Sequence, residues 1–308
     1  MVFAPPDERH APTTWSFFMH PEMAAVIWLI KLAVASLAGG VIGSISGLGG
    51  GIVIVPVLTL FLGVPIQDAI GASLVSVIAV SSGAGSVYLK DRITNVRIAM
   101  FLELSTALGA IIGAVALSPL FSSGLGHKIL YILFGATLLT SLLPIIAKLA
   151  EEVPEGIHND RLAGRLRLNG SYFDKRMNRE IVYNVTGIPA SMGIMFAAGI
   201  ISGLLGIGAG VLKVLAHEIC MKVPTKVSTA TSNFMIGVTA AAGAGAYLRQ
   251  GRVLPFVVVP VATAVLLGAF GGTILMEHMS NARVRQVFAV ALGVIGVQMV
   301  LRGLGVHF

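Results

Sequence analysis

The chain has 308 residues, of which 56% are hydrophobic and 11% charged, and its mean hydropathy is +0.89. A soluble globule is excluded, since its surface would need about 25% charged residues. The formal charge of +7 does not indicate nucleic acid, because the basic residues sit in short segments between apolar runs without interleaved aromatics, as the positive-inside rule places them.

In chain order, residues 1–23 read as a polar leader with Pro5, Pro6, Asp7, Glu8 and Pro21, lacking the basic-then-apolar order of a cleavable signal peptide. Membrane spans, each needing about 20 apolar residues, are predicted near 24–46, 66–89, 96–118, 128–148, 184–205, 225–248, 253–276 and 284–303. The apolar stretches 48–62 and 207–221 are too short to cross comfortably and begin in glycines, so both read as broken or re-entrant half-helices. Residues 150–183 are a polar, charged linker, placed in the cytoplasm by its arginines and lysines. The expected fold is therefore an all-α polytopic membrane protein of about eight transmembrane helices in two homologous halves, 24–149 and 184–308.

The halves are visible as an internal repeat when the chain is slid against itself by 159 residues. Gly40, Gly47, Gly49 and Gly51 fall on Gly199, Gly206, Gly208 and Gly210; Val64-Pro65 on Val223-Pro224; Ser73 on Ser232; Tyr88-Leu89 on Tyr247-Leu248; Gly109 and Gly113 on Gly268 and Gly272. Agreement at Gly, Pro, Ser and Tyr is informative because chance matches in apolar sequence favour Leu, Val and Ala. Eight spans, with the linker and the basic loops Lys90–Arg97 and Arg249–Arg252 on one side, make the repeats parallel; ten make them inverted. The sequence leaves both open.

The run Gly47 to Gly51 is a poor helix interior, each glycine being about 1 kcal/mol worse than alanine. Without a Cβ the chain can unwind there, and a following half-helix presents N–H groups and a positive dipole end, which suit an anion. The plainer reading is close helix packing; symmetric placement in both halves favours a site. A nucleotide loop is the weaker option, since the Walker lysine and Ser/Thr are missing. The candidate substrate-binding set is Gly49, Gly50, Gly51, Ser73, Gly208, Gly210, Lys213, Thr231, Ser232 and Asn233, with Pro65 and Pro224 fixing the turns. Against the hydroxyls stands ordinary helix-to-helix hydrogen bonding. Lys213, Glu218 and Glu103 are ionisable groups in apolar surroundings, where charge is costly enough to suggest function. Lys213 attracts an anion in this reading and Glu103 is a candidate for proton coupling; pairing of Lys213 with Glu218, or snorkelling to the interface, is the alternative. One cysteine, Cys220, excludes an internal disulfide or a cysteine metal cage. No cofactor or metal is called for, and the His217-Glu218 pair meets Met221 where a zincin would have its second histidine. The expected partners are the lipid bilayer, a small anion and possible further copies of the chain.

The glycine cluster ending in a half-helix with Pro56, the turn Gly63-Val64-Pro65, the segment Gly71-Ala72-Ser73-Leu74, the series Gly206-Ile207-Gly208-Ala209-Gly210 and the run Ala230-Thr231-Ser232-Asn233 together resemble the sulfite exporter TauE/SafE family, also described as toluenesulfonate uptake permeases. The resemblance covers roughly residues 30 to 303. It implies a bacterial or archaeal plasma-membrane permease for sulfite, sulfoacetate, other organosulfonates or related small anions, coupled to an ion gradient. Ala209, Lys213 and the long charged linker depart from the plainer family pattern.

Overall fold

Glycine and proline punctuate long apolar runs, and the helices start and stop there. The computed structural model describes residues 21–46, 49–121, 123–147, 154, 156–174, 177–278 and 281–306. The expected leader before residue 21, the repeat glycine Gly47 and the linker residues Glu151, Glu152, Glu155, Lys175 and Arg176 lie outside the described residues. Helix α1, Pro21–Ser46, is followed by the short α2, Gly51–Pro56, which continues as a π-turn over Val57–Phe61. Pro56 has no N–H to donate, and the regular ladder gives way directly after it. Gly63 reverses the chain at φ +67, and Pro65, at φ −53 and ψ 139, caps α3, Ile66–Lys90. The side chain of Asn95 accepts from Ile98 N at 3.1 Å to start α4, Val96–Ile111, which runs on through irregular turns to Phe121. Helix α5 is Gly124–Ala147.

The second series begins with α7, Ile188–Leu205, and α8, Gly210–Leu215, which continues as a π-turn over Ala216–Cys220. Pro224, at φ −54 and ψ 140, caps α9, Thr225–Arg249, and α10, Pro255–His278, and α11, Asn281–Gly303, complete the chain. Gly51 and Gly210, Val57 and Ala216, Ile66 and Thr225, and Val96 and Pro255, all paired by the 159-residue offset, each open corresponding elements.

Among the described residues six helices are long and apolar enough to cross a membrane, drawn from α1, α3, α4, α5, α7 and α10. Of the eight expected spans, α9 is long enough but loses hydropathy to Thr225, Lys226, Ser228, Thr229, Thr231, Ser232 and Asn233, and α11 offers the shorter apolar stretch Leu292–Gly303. On α4, Met100, Leu104 and Leu108 are 71%, 68% and 52% exposed and form one stripe, a surface that suits lipid and not water.

Small residues let the backbones touch. α1 runs along α10 in the same direction: a Cβ added at Gly268 would stand 2.1 Å from Leu37 O, and one at Gly272 2.7 Å from Val41 O. α4 and α7 repeat the arrangement, with 2.1 Å from Gly199 to Thr106 O and 2.2 Å from Gly203 to Ala110 O. The interior pair, α3 and α9, is antiparallel, since Leu74 meets Gly243 while Ser81 meets Gly237 and donates to Asn233 O at 2.6 Å. α5 packs on α11.

The linker corrects the all-α expectation. After α6, Arg161–Leu166, it forms an antiparallel hairpin of β1, Gly170–Asp174, and β2, Arg179–Tyr183, with Tyr172 opposite Ile181. Alternation directs Tyr172, Ile181 and Tyr183 into a cluster with Ile98 and Leu102 of α4 and Ile188 of α7. Asn95 Nδ2 donates to Leu168 O at 2.8 Å and to the Tyr183 hydroxyl at 2.9 Å. Burial pushes the Tyr183 phenol up to about 12. The Lys90–Arg97 loop therefore shares an end of the molecule with the linker. Arg252 instead donates to Asp68 Oδ1 at 3.3 Å at the start of α3, about 37 Å away along a 25-residue helix. The two basic loops therefore cap opposite ends of α3, which disfavours the arrangement with both on the linker's side, one of the two that the sequence leaves open.

Candidate functional site

The two glycine breaks are built alike. Gly49 and Gly50 hold φ +84 and +65 ahead of α2, and Gly208 and Ala209 hold φ +68 and +55 ahead of α8. Ala209 tolerates the left-handed conformation at a cost glycine avoids. α2 turns back along α1: Gly50 lies against Gly43, and Ile54 against Gly39. Both breaks meet between α3 and α9, where Gly49 and Gly208 each face Val77 and Ile236. Those two residues sit next to the midpoints of their 25-residue helices. A Cβ at Gly51 would stand 2.6 Å from Ser73 Oγ and 2.8 Å from Gly206 O, so the first break rests on the second.

In this conformation polar groups of the breaks are satisfied by the local backbone and by hydroxyls of α3 and α9. Gly51 N donates to Gly49 O at 2.6 Å, and Val53 N and Ile54 N donate to Gly50 O at 2.9 and 3.1 Å. Ser73 Oγ donates to Gly206 O at 2.7 Å and Ser232 Oγ to Gly210 O at 3.2 Å, both from fully buried side chains. Asn233 Nδ2 donates to Ser44 O at 3.4 Å, while its buried Oδ1 has no partner among the described residues. The predicted residues Gly49, Gly50, Gly51, Ser73, Gly208, Gly210, Ser232 and Asn233 are thereby brought together. Thr231 is directed elsewhere: its Oγ1 accepts from Asn95 N at 3.0 Å and holds the loop ahead of α4. Pro65 and Pro224 sit at the helix starts, as the turn reading expects.

Lys213 is fully buried on α8, and its Nζ donates to Glu103 Oε2 of α4 at 3.1 Å and to Thr239 Oγ1 of α9. Thr239 Oγ1 in turn donates to Glu103 Oε1, so one hydroxyl bridges both charges. Lys213 thus pairs with Glu103 and not with its neighbour Glu218. Neither side chain snorkels to an interface: Lys213 is 0% exposed and the Glu103 side chain 9%. Sequence reasoning singled out both ions but missed Thr239, one of many hydroxyls in α9. The offset that aligns the halves puts Ile54, Val80 and Ala262 at the positions of Lys213, Thr239 and Glu103. Ile54 and Val80 are buried core residues, so the positions one offset away from the ionic cluster are apolar. His217, one turn beyond Lys213, is also fully buried.

Comparison with known proteins follows the same extent. The family model described as sulfite exporter TauE/SafE matches residues 32–299. The chain is 28% identical over 284 residues to the probable membrane transporter protein YunE of Bacillus subtilis, covering 89% of this chain and 98% of that protein. It is 24% identical over 300 residues to the probable membrane transporter protein MJ0441 of Methanocaldococcus jannaschii, covering 91% of this chain and 98% of that protein. No solved structure matches.

Proposed function

The chain belongs to the sulfite exporter TauE/SafE family, multi-pass membrane transporters and not enzymes, and from that premise we propose that it is a secondary transporter of a small anion. The anion is of the class of sulfite, sulfoacetate or another organosulfonate, moved across the plasma membrane by alternating access and coupled to an ion gradient. The observation that carries this reading is the meeting of the two glycine breaks near the midpoints of α3 and α9 beside a fully buried lysine. Unwound backbone near the middle of a bundle, at the interface of two similar halves, is where transporters hold their substrates. Their glycine amides and the Ser73, Ser232 and Asn233 side chains become ligands when the breaks part. Thr231, tied to the loop ahead of α4, stands outside that set.

The halves are inverted in this reading. α3 and α9 are repeat mates yet antiparallel, and two copies of one motif so related cross the bilayer in opposite senses. α9 and α11 join the six apolar helices to give eight long helices, with α2 and α8 as half-helices folded back on α1 and α7. Two oppositely oriented halves supply two states, one open to each side.

The test is flux in liposomes containing the purified protein, using radiolabelled sulfite and sulfoacetate with and without a proton gradient. Saturable, gradient-sensitive uptake of either is expected. Flux that rises without saturation would describe a channel, and no flux of any small anion would overturn the reading.

A further inference from the structure

The Lys213, Glu103 and Thr239 cluster joins three elements, and only one of them, the six-residue α8, belongs to a break. Movement of α8 therefore pulls Lys213 away from a carboxylate held on the long helix α4. A bare carboxylate left in apolar surroundings is far less favourable than a protonated one. The Glu103 side chain is 9% exposed while that of Lys213 is fully buried, so of the two ions only Glu103 reaches the protein surface. Resting on the anion reading, we propose that Glu103 carries the coupling proton of a one-to-one proton and anion symport. The incoming anion takes the place of Glu103 on the Lys213 ammonium, and the displaced carboxylate takes up one proton. Charge balances: ammonium and carboxylate plus anion and proton become ammonium and anion plus neutral carboxylic acid, with one O–H bond formed.

The half-loaded states explain why the two travel together. An anion without its proton leaves the carboxylate uncompensated, and a proton without its anion leaves the ammonium so; both are disfavoured in a buried site. One cluster per chain fixes one proton per cycle, because Ile54, Val80 and Ala262 occupy the repeat-related positions. The other ionisable groups on α8 and its π-turn are His217, Glu218 and Cys220; α7 carries none; α9 carries Lys226, Tyr247 and Arg249; Arg97 begins α4, and α5 carries His127, Lys128 and Tyr131. Lys226 is held by Asp174 at 2.8 Å.

The experiment uses the full chain in liposomes, the potential clamped at zero, with sulfite and methanesulfonate as probes. Wild type is expected to exchange at least one probe in counterflow and to accumulate it about tenfold per unit of pH gradient, the ratio one proton per anion dictates. Glu103→Gln is expected to keep counterflow, with tighter anion affinity because the competing carboxylate is gone, and to lose accumulation. Accumulation by Glu103→Gln equal to wild type would overturn the proposal. As a check independent of that variant, adding the anion to wild type in weakly buffered detergent should draw one proton from solution per anion bound; binding without proton uptake would overturn the coupling alone. Absence of counterflow in wild type for both probes would overturn the anion reading and the coupling with it.

Discussion

Lys213 shows how burial turns one residue into a constraint on others. Its ammonium has no access to water, so its charge is tolerated only because Glu103 lies at 3.1 Å and Thr239 fills the space between. Removing one partner of such a pair strands the other, at a cost of about 3–5 kcal/mol, whereas replacing both with apolar groups is often neutral or stabilising. Lys213→Met should therefore lower the thermal midpoint in detergent markedly, and Lys213→Met with Glu103→Leu should recover most of it. Equal loss in both would mean that the pair does not hold the fold. The apolar Ile54 and Val80 at the related positions of the other half show that the fold itself accepts hydrocarbon there. Sequence alone flagged both ions as out of place. It did not reveal their pairing, because the residues are 110 apart and hydropathy carries no information on which helices touch.

At the scale of elements, glycine spacing is the legible feature, and it has two uses. Gly49, Gly50 and Gly208 hold positive φ at the breaks, while Gly199 and Gly203 are helical and admit α4 to α7. From sequence a single glycine of either kind looks the same, since both sit in apolar runs; only their clustering set the breaks apart. Gly203→Leu should fail to give a monodisperse protein, because its Cβ alone would stand 2.2 Å from Ala110 O and overpacking costs about 1–3 kcal/mol or more. Gly193→Ala, on the same helix with nothing within 4 Å, should be tolerated or stabilising by up to about 1 kcal/mol through helix propensity. Size-exclusion profiles and thermal melts of the two variants distinguish packing from propensity, and similar behaviour would refute the close contact. The linker hairpin was not legible at all. Its strands are five residues each, and in a segment dense with charge two inward tyrosines and an isoleucine make too short an alternation to separate from loop.

For the whole molecule the open question was direction. Charge counting allowed two basic loops and the linker on one side, and the contacts separate them: Asn95 binds the linker, whereas Arg252 binds Asp68 at the far end of α3. Positive residues near helix ends bias orientation only on balance, so one misplaced loop reverses the inferred symmetry. The antiparallel contact of α3 and α9 is a stronger guide than charge, because it compares a motif with its own copy. Asp91 and Gln250 are exposed repeat mates at the C-terminal ends of those two helices. After Cys220→Ser, single cysteines introduced at these positions should react with an impermeant maleimide from opposite faces of oriented vesicles. Labelling from one face would require parallel halves and remove the basis for two access states related by a two-fold axis in the membrane plane; labelling from opposite faces would leave alternation about the central breaks as the motion this symmetry permits.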